Sequence, residues 1–140
     1  MLQKGEPVFF VDNSKDNQAH CDVFQRTVQG LGLKPVFYAG PGKHVRHSNV
    51  DREMRDDFYA VRAIVLYFGS PNGSDHEDHW VLQEMRYVAA SGVPIFVYVS
   101  KDFPRDILVN HGYSREPEVL SSEADFGAAL RRDLASFIAS

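Results

Sequence analysis

The chain alternates continuous apolar runs with segments that repeat at helical spacing. The four clearest apolar runs are PVFFVD (7–12), PVFYAG (35–40), AIVLYFG (63–69) and VPIFVYVS (93–100), and PEVL (117–120) is a weaker fifth. Their apolar residues follow one another without polar alternation, which is typical of strands buried on both faces of a parallel sheet. We therefore predict five strands.

Helical periodicity fills most of the intervals between these runs. Four stripes of apolar residues recur every three to four positions: Cys21, Phe24, Val28 and Leu31; Val50, Met54, Phe58 and Val61; Val81, Met85, Val88 and Ala89; Phe126, Leu130, Leu134 and Phe137. The third helix is predicted to begin at Ser74, which has capping-box spacing to Glu77, and to end at Gly92. Strands alternating with helices predict an α/β fold, with a single flavodoxin-like domain over residues 1–140.

Bulk properties narrow the classes of function. The chain has 140 residues, a formal net charge of −4, one cysteine and no apolar run long enough to cross a bilayer. An acidic balance disfavours nucleic-acid binding, and a lone cysteine fits a reducing compartment. We expect a cytoplasmic protein that binds neither nucleic acid nor membrane.

The carboxyl ends of the predicted strands form the expected ligand-binding edge. In open parallel sheets, ligands bind outside these ends. The chain leaves them after Asp12, Tyr38, Phe68 and Val99, and the first three of these loops are rich in Gly, Pro, Ser, Asn and charge. Asp12, Asn13 and Tyr38 are therefore candidates for contact with a substrate, although Asp12 and Asn13 could equally cap the turn before the first helix.

The third helix carries a second line of residues beside its core stripe. Trp80 and Glu84 are one turn apart, roughly 100° around the helix from the core-facing positions. Because the helix follows the third strand, its first turns are expected beside the ligand-binding edge. Spacing alone also fits a packing tryptophan and a solvated glutamate.

These segments together resemble a Toll/interleukin receptor (TIR) domain of the prokaryotic, NAD-cleaving type. The resemblance rests on FFVDNSKDN, PVFYAGPG, VRAIVLYFGS and HWVLQEMRYVAASGVPIFVYV, and its most specific part is the W-x-x-x-E of Trp80 and Glu84. It covers residues 7 to about 100. The chain departs from the family pattern in two places: the first strand ends in VDNSKD, and no acidic residue precedes the Pro-Gly of the loop at 40–42.

The resemblance implies an NAD⁺ nucleosidase that releases nicotinamide and ADP-ribose or a cyclic ADP-ribose, as in bacterial antiphage systems such as Thoeris. It assigns the catalytic carboxylate to Glu84, stacking on a substrate ring to Trp80, and a loop position after the third strand to Ser70. NAD is then a substrate, with no cofactor and no metal required. The resemblance also implies a homo-oligomer or a partner TIR or defence protein.

Other motifs suggest alternatives. His44 with His47, and His76 with His79, form two H-x-x-H pairs that could bind a metal only if their loops converged. The third strand lacks a terminal phosphoacceptor aspartate, and no dinucleotide-binding or P-loop glycine motif is present, which excludes a receiver domain and disfavours a Rossmann dehydrogenase or P-loop NTPase. A non-catalytic TIR-like assembly module and a nucleoside deoxyribosyltransferase-like enzyme remain open.

Overall fold

The computed structural model describes residues 2–12, 18–37, 62–68, 94–101, 118–122 and 124–138. These ranges contain five strands and two helices. In chain order they are β1 (Pro7–Asp12), α1 (Gln18–Gly30), β2 (Lys34–Phe37), β3 (Ala63–Phe68), β4 (Ile95–Ser100), β5 (Glu118–Leu120) and α2 (Asp125–Ala135).

The five strands form one parallel sheet in the order β2-β1-β3-β4-β5. This is the flavodoxin-like order, and it confirms the predicted α/β fold. The first predicted strand matches β1 at both ends. The predicted starts of the second and fourth strands shift by one and two positions, because β2 already pairs at Lys34 and β4 begins at Ile95, after Pro94.

Both faces of the central strands are buried, as the continuous apolar runs predict. On the face that carries α1 and α2, the core includes Phe10, Val65 and Phe96. On the opposite face Phe9 and Leu66 are also buried. A strand with no solvent-exposed face has no need for polar residues at alternate positions, which explains the continuous apolar sequences of β1 and β3.

Aromatic rings fill the space between the sheet and the two helices. Phe10 of β1 stacks on Phe24 of α1, with ring centroids 4.5 Å apart, and lies 5.9 Å from Phe126 of α2. All three rings are buried. Rings of this size bury much apolar area, so these contacts are a main source of the stability that holds both helices on the sheet.

The helix α1 ends earlier than its apolar stripe. Leu31 lies one residue beyond the helix, in the turn to β2, and is only half-buried. Gly32 follows with φ +78°, a conformation that side chains with a Cβ rarely adopt. The turn closes when the amide of Leu33 donates to the carbonyl of Val28 at 3.0 Å.

The helices α1 and α2 lie side by side and contact each other at Gly127. A Cβ at this position would lie 3.3 Å from Cγ1 of Val23 and 3.9 Å from Oγ1 of Thr27. The missing side chain therefore permits a close approach of α2 to α1. Within the described part of the chain, neither helix is long and apolar enough to cross a membrane.

Candidate functional site

The sheet order places a topological switch point between β1 and β3. From β1 the chain passes to β2 on one side, and it later returns to β3 on the other side. The crevice outside the carboxyl ends of two such strands is the usual ligand site of this architecture. In the register, Asp12 of β1 pairs with Tyr67 of β3. The backbone of Asp12 is therefore at the switch point.

Asp12 is the one predicted site residue whose backbone the structure describes. The predicted catalytic residue Glu84 lies outside the described residues, as do Trp80, Ser70, Tyr38 and Asn13. The chain enters the segment that carries Ser70, Trp80 and Glu84 at the carboxyl end of β3, after Phe68.

A buried histidine in the first turn of α1 lies next to this edge. The imidazole of His20 is 3.9 Å from the ring of Tyr67, centroid to centroid, and meets the edge of Phe126 at 6.4 Å. Both His20 and Tyr67 are buried. The imidazole of His20 and the phenol ring of Tyr67 thus pack against each other beside the switch point, and Phe126 packs against the imidazole.

A second polar group connects α2 to the neighbouring strand. The hydroxyl of Tyr98 in β4 donates to Oδ2 of Asp133 at 2.7 Å, and both residues are buried. Nε of Arg132 donates to Oδ1 of the same carboxylate at 3.1 Å. A buried carboxylate requires such donors, because taking a charge out of water without partners is costly.

Arg132 extends this group to β5. Its Nη2 donates to Oε1 of Glu118 at 2.6 Å. The hydrogen bond to Asp133, then that to Glu118, raises the pKa of Arg132 above its ordinary value. Arg132 thus joins α2 to the edge strand β5 from the solvent side.

The apolar stripes in the sequence miss His20 and Asp133, although the spacing could have found both. His20 precedes Phe24 and Val28 at intervals of four, and Asp133 follows Leu130 by three. Residues at these intervals share one helix face. A polar residue on a core-facing line is a signal that it needs a buried partner, and Tyr67 and Tyr98 contact them here.

Metal ligands do not cluster in the described part of the chain. Among those residues, no three His, Cys, Asp or Glu side chains come together in a way that could hold an ion. His44, His47, His76 and His79 fall outside the described ranges.

Comparisons with known proteins complete the description. Neither the family models, nor the curated proteins, nor the solved structures include a match to this chain. The fold and the polar residues at its carboxyl edge are therefore the basis for any functional assignment.

Proposed function

We propose that this protein is a TIR-type NAD⁺ nucleosidase that breaks the bond between nicotinamide and ribose. The observation that carries the proposal is the flavodoxin-like sheet. Asp12 stands at its switch point, at the end of β1. The chain enters the W-x-x-x-E segment from the carboxyl end of β3. An enzyme of this type needs an acidic side chain at such a crevice.

In the proposed reaction, Glu84 stabilises positive charge. Nicotinamide leaves as a neutral molecule because the electrons of the C1′–N bond neutralise its cationic ring. The ribose carbon becomes oxocarbenium-like, and a fixed carboxylate beneath the sugar lowers the energy of that state. Water then adds to C1′ and loses a proton, which gives ADP-ribose; attack by an adenine nitrogen of the same molecule gives the cyclic product instead.

The remaining proposed contacts position the substrate. Trp80 stacks on a planar ring, and Asp12, Asn13, Tyr38 and Ser70 line the crevice and bind polar parts of the dinucleotide. Among the described residues, His20 and Tyr67 pack into the core directly behind the β1–β3 junction and support this edge. Preorganised contacts of this kind reduce the entropy that binding must offset.

The test is nicotinamide release from NAD⁺ by the purified chain, followed by chromatography at dilute and at high protein concentration. We expect release, with a rate per molecule that rises with concentration if the active form is an oligomer. Absence of release at every concentration, with and without a crowding agent, contradicts the proposal. Release of free base from deoxynucleosides with NAD⁺ untouched would instead identify a deoxyribosyltransferase-like enzyme.

The product and the setting are part of the same proposal. In antiphage defence, the reaction would act either by depleting NAD or by producing ADP-ribose or its cyclic form as a signal. The partners proposed are NAD, a second copy of the chain, or another TIR or defence protein. Separating linear from cyclic product by mass spectrometry decides between hydrolysis and cyclisation, because the two products differ by one water molecule.

A further inference from the structure

An open groove lies beside the contact between α1 and α2, on the surface that faces away from the sheet. It has a volume of about 480 Å³ and is lined by Val23, Arg26, Thr27, Ala124, Gly127 and Arg131. The close approach of the helices at Gly127 forms its floor, where Val23 and Thr27 are the nearest neighbours. Both arginines are exposed.

These two arginines differ from the other arginines that the structure describes. Arg62 is paired with Glu6 at 2.9 Å, and Arg132 is paired with Glu118 and Asp133. Within the described ranges, no carboxylate forms an ion pair with Arg26 or Arg131. In a chain with a net charge of −4, the groove therefore has two guanidinium groups that form no ion pair within the described part of the fold.

The two guanidinium groups lie towards opposite ends of the groove. Nε of Arg26 donates to the carbonyl of Asp22 at 3.4 Å, which directs this side chain towards the start of α1. Nη2 of Arg131 lies 4.0 Å from the position of a Cβ on Gly30, at the other end of α1. Asp22 and Gly30 are about 12 Å apart along the helix axis, at 1.5 Å per residue.

This separation selects the kind of ligand. A single phosphate needs guanidinium groups that converge on one point. Two separated groups match a peptide in the polyproline II conformation that carries two acidic side chains around a small apolar residue. A polyproline II peptide has three residues per turn and rises about 3.1 Å per residue, so side chains at positions i and i+3 lie on the same side, roughly 9 Å apart before side-chain reach is added.

We propose that the α1–α2 groove binds an acidic peptide segment of a partner protein, with carboxylates at i and i+3 meeting Arg26 and Arg131 and a small apolar residue lying over Gly127. Asp22 lies one helical turn before Arg26, but within the described residues its carboxylate forms no ion pair with Arg26, and it accepts a hydrogen bond from Nε2 of Gln18 at 3.0 Å. The proposal is independent of NAD cleavage.

The test is a titration of the full chain with the synthetic peptide acetyl-GEAVEG-amide, followed by amide chemical shifts in ¹⁵N-labelled protein. We expect the amides of Thr27 and Gly127 to shift, with a dissociation constant that rises at least tenfold in the double variant Arg26→Gln/Arg131→Gln. Arg62→Gln removes the same kind of charge from outside the groove and is expected to leave binding within twofold of the wild type.

Two control ligands complete the experiment. The peptide acetyl-GQAVQG-amide, which lacks both charges, is expected not to bind, and inorganic pyrophosphate is expected not to shift Thr27 and Gly127. The proposal is overturned if the acidic peptide shifts no groove amide, if Arg62→Gln weakens binding as much as the double variant, or if pyrophosphate occupies the groove in place of the peptide.

Discussion

Asp133 is a buried carboxylate with a donor on either side of it. Tyr98 reaches it from the sheet, and Arg132 reaches it from the solvent side of the same helix. The two donors are not equivalent, because Tyr98 is buried whereas the side chain of Arg132 is 61% exposed. Water can replace the arginine, but it cannot easily replace the tyrosine hydroxyl.

Tyr98→Phe therefore tests the buried half of this arrangement. The substitution keeps the ring and removes the hydroxyl that donates to Oδ2 of Asp133. We expect the free energy of unfolding to fall by about 1–3 kcal/mol, measured by urea denaturation. Arg132→Gln is the control and is expected to change it less. The interpretation is wrong if Tyr98→Phe unfolds at the wild-type urea concentration.

At the scale of elements, the packing of α1 against α2 depends on one position without a side chain. Gly127 is the third residue of α2, although glycine is a poor helix former. The contact is with Val23, and a Cβ would already be tighter than ordinary van der Waals distance. A larger side chain must either move Val23 or separate the helices.

Gly127→Val is expected to lower the free energy of unfolding by about 1–2 kcal/mol, because overpacking outweighs the gain in helix propensity. The matched control is Gly30→Val at the end of α1, where a Cβ would meet only Nη2 of Arg131, at 4.0 Å. This flexible side chain can move, so we expect little change. Thermal unfolding of both variants measures the difference, and equal midpoints would contradict the account.

The elements differ in how well the sequence predicts them. The prediction of β1 is correct at both ends, because PVFFVD is bounded by polar residues and its apolar residues are buried on both faces. The apolar spacing of α1 continues to Leu31, one residue beyond the end of the helix at Gly30, because Leu31 lies in a turn that Gly32 closes. Periodicity locates a buried stripe, but local backbone conformation decides where a helix ends.

At the scale of the whole molecule, the two ends of the described chain meet. Leu2 forms a parallel bridge with Ile138, and its amide donates to the carbonyl of Phe137 at 2.6 Å. The side chain of Leu2 is 2% exposed and belongs to the core cluster beneath α1 and α2. This contact fastens the chain after α2 to the segment before β1.

Leu2→Ala is thus expected to lower the free energy of unfolding by about 2–4 kcal/mol, as for other buried leucines. The half-buried Leu31 provides the comparison, and Leu31→Ala is expected to cost less. Urea denaturation of both variants tests this. Equal losses, or a silent Leu2→Ala, would show that the N-terminal segment contributes little to the core.

The candidate site is less predictable from sequence than the sheet. Alternating strands and helices with right-handed crossovers leave few sheet orders, and the flavodoxin-like order expected as the simplest is the one observed. A site depends on side chains from distant segments meeting, and no spacing rule predicts a contact between residues as far apart in sequence as Asp12 and Glu84. His20 and Tyr98 illustrate the same limit, since their partners are far away in sequence.

The central claim concerns one acidic side chain, and its substitution tests it most directly. Nicotinamide release from NAD⁺ should be compared for the wild type, Glu84→Gln and the control Glu77→Gln, with the thermal midpoint of each. We predict that Glu84→Gln loses at least a hundredfold in turnover with an unchanged midpoint, whereas Glu77→Gln stays near the wild-type rate. Wild-type turnover in folded Glu84→Gln would contradict the proposed function.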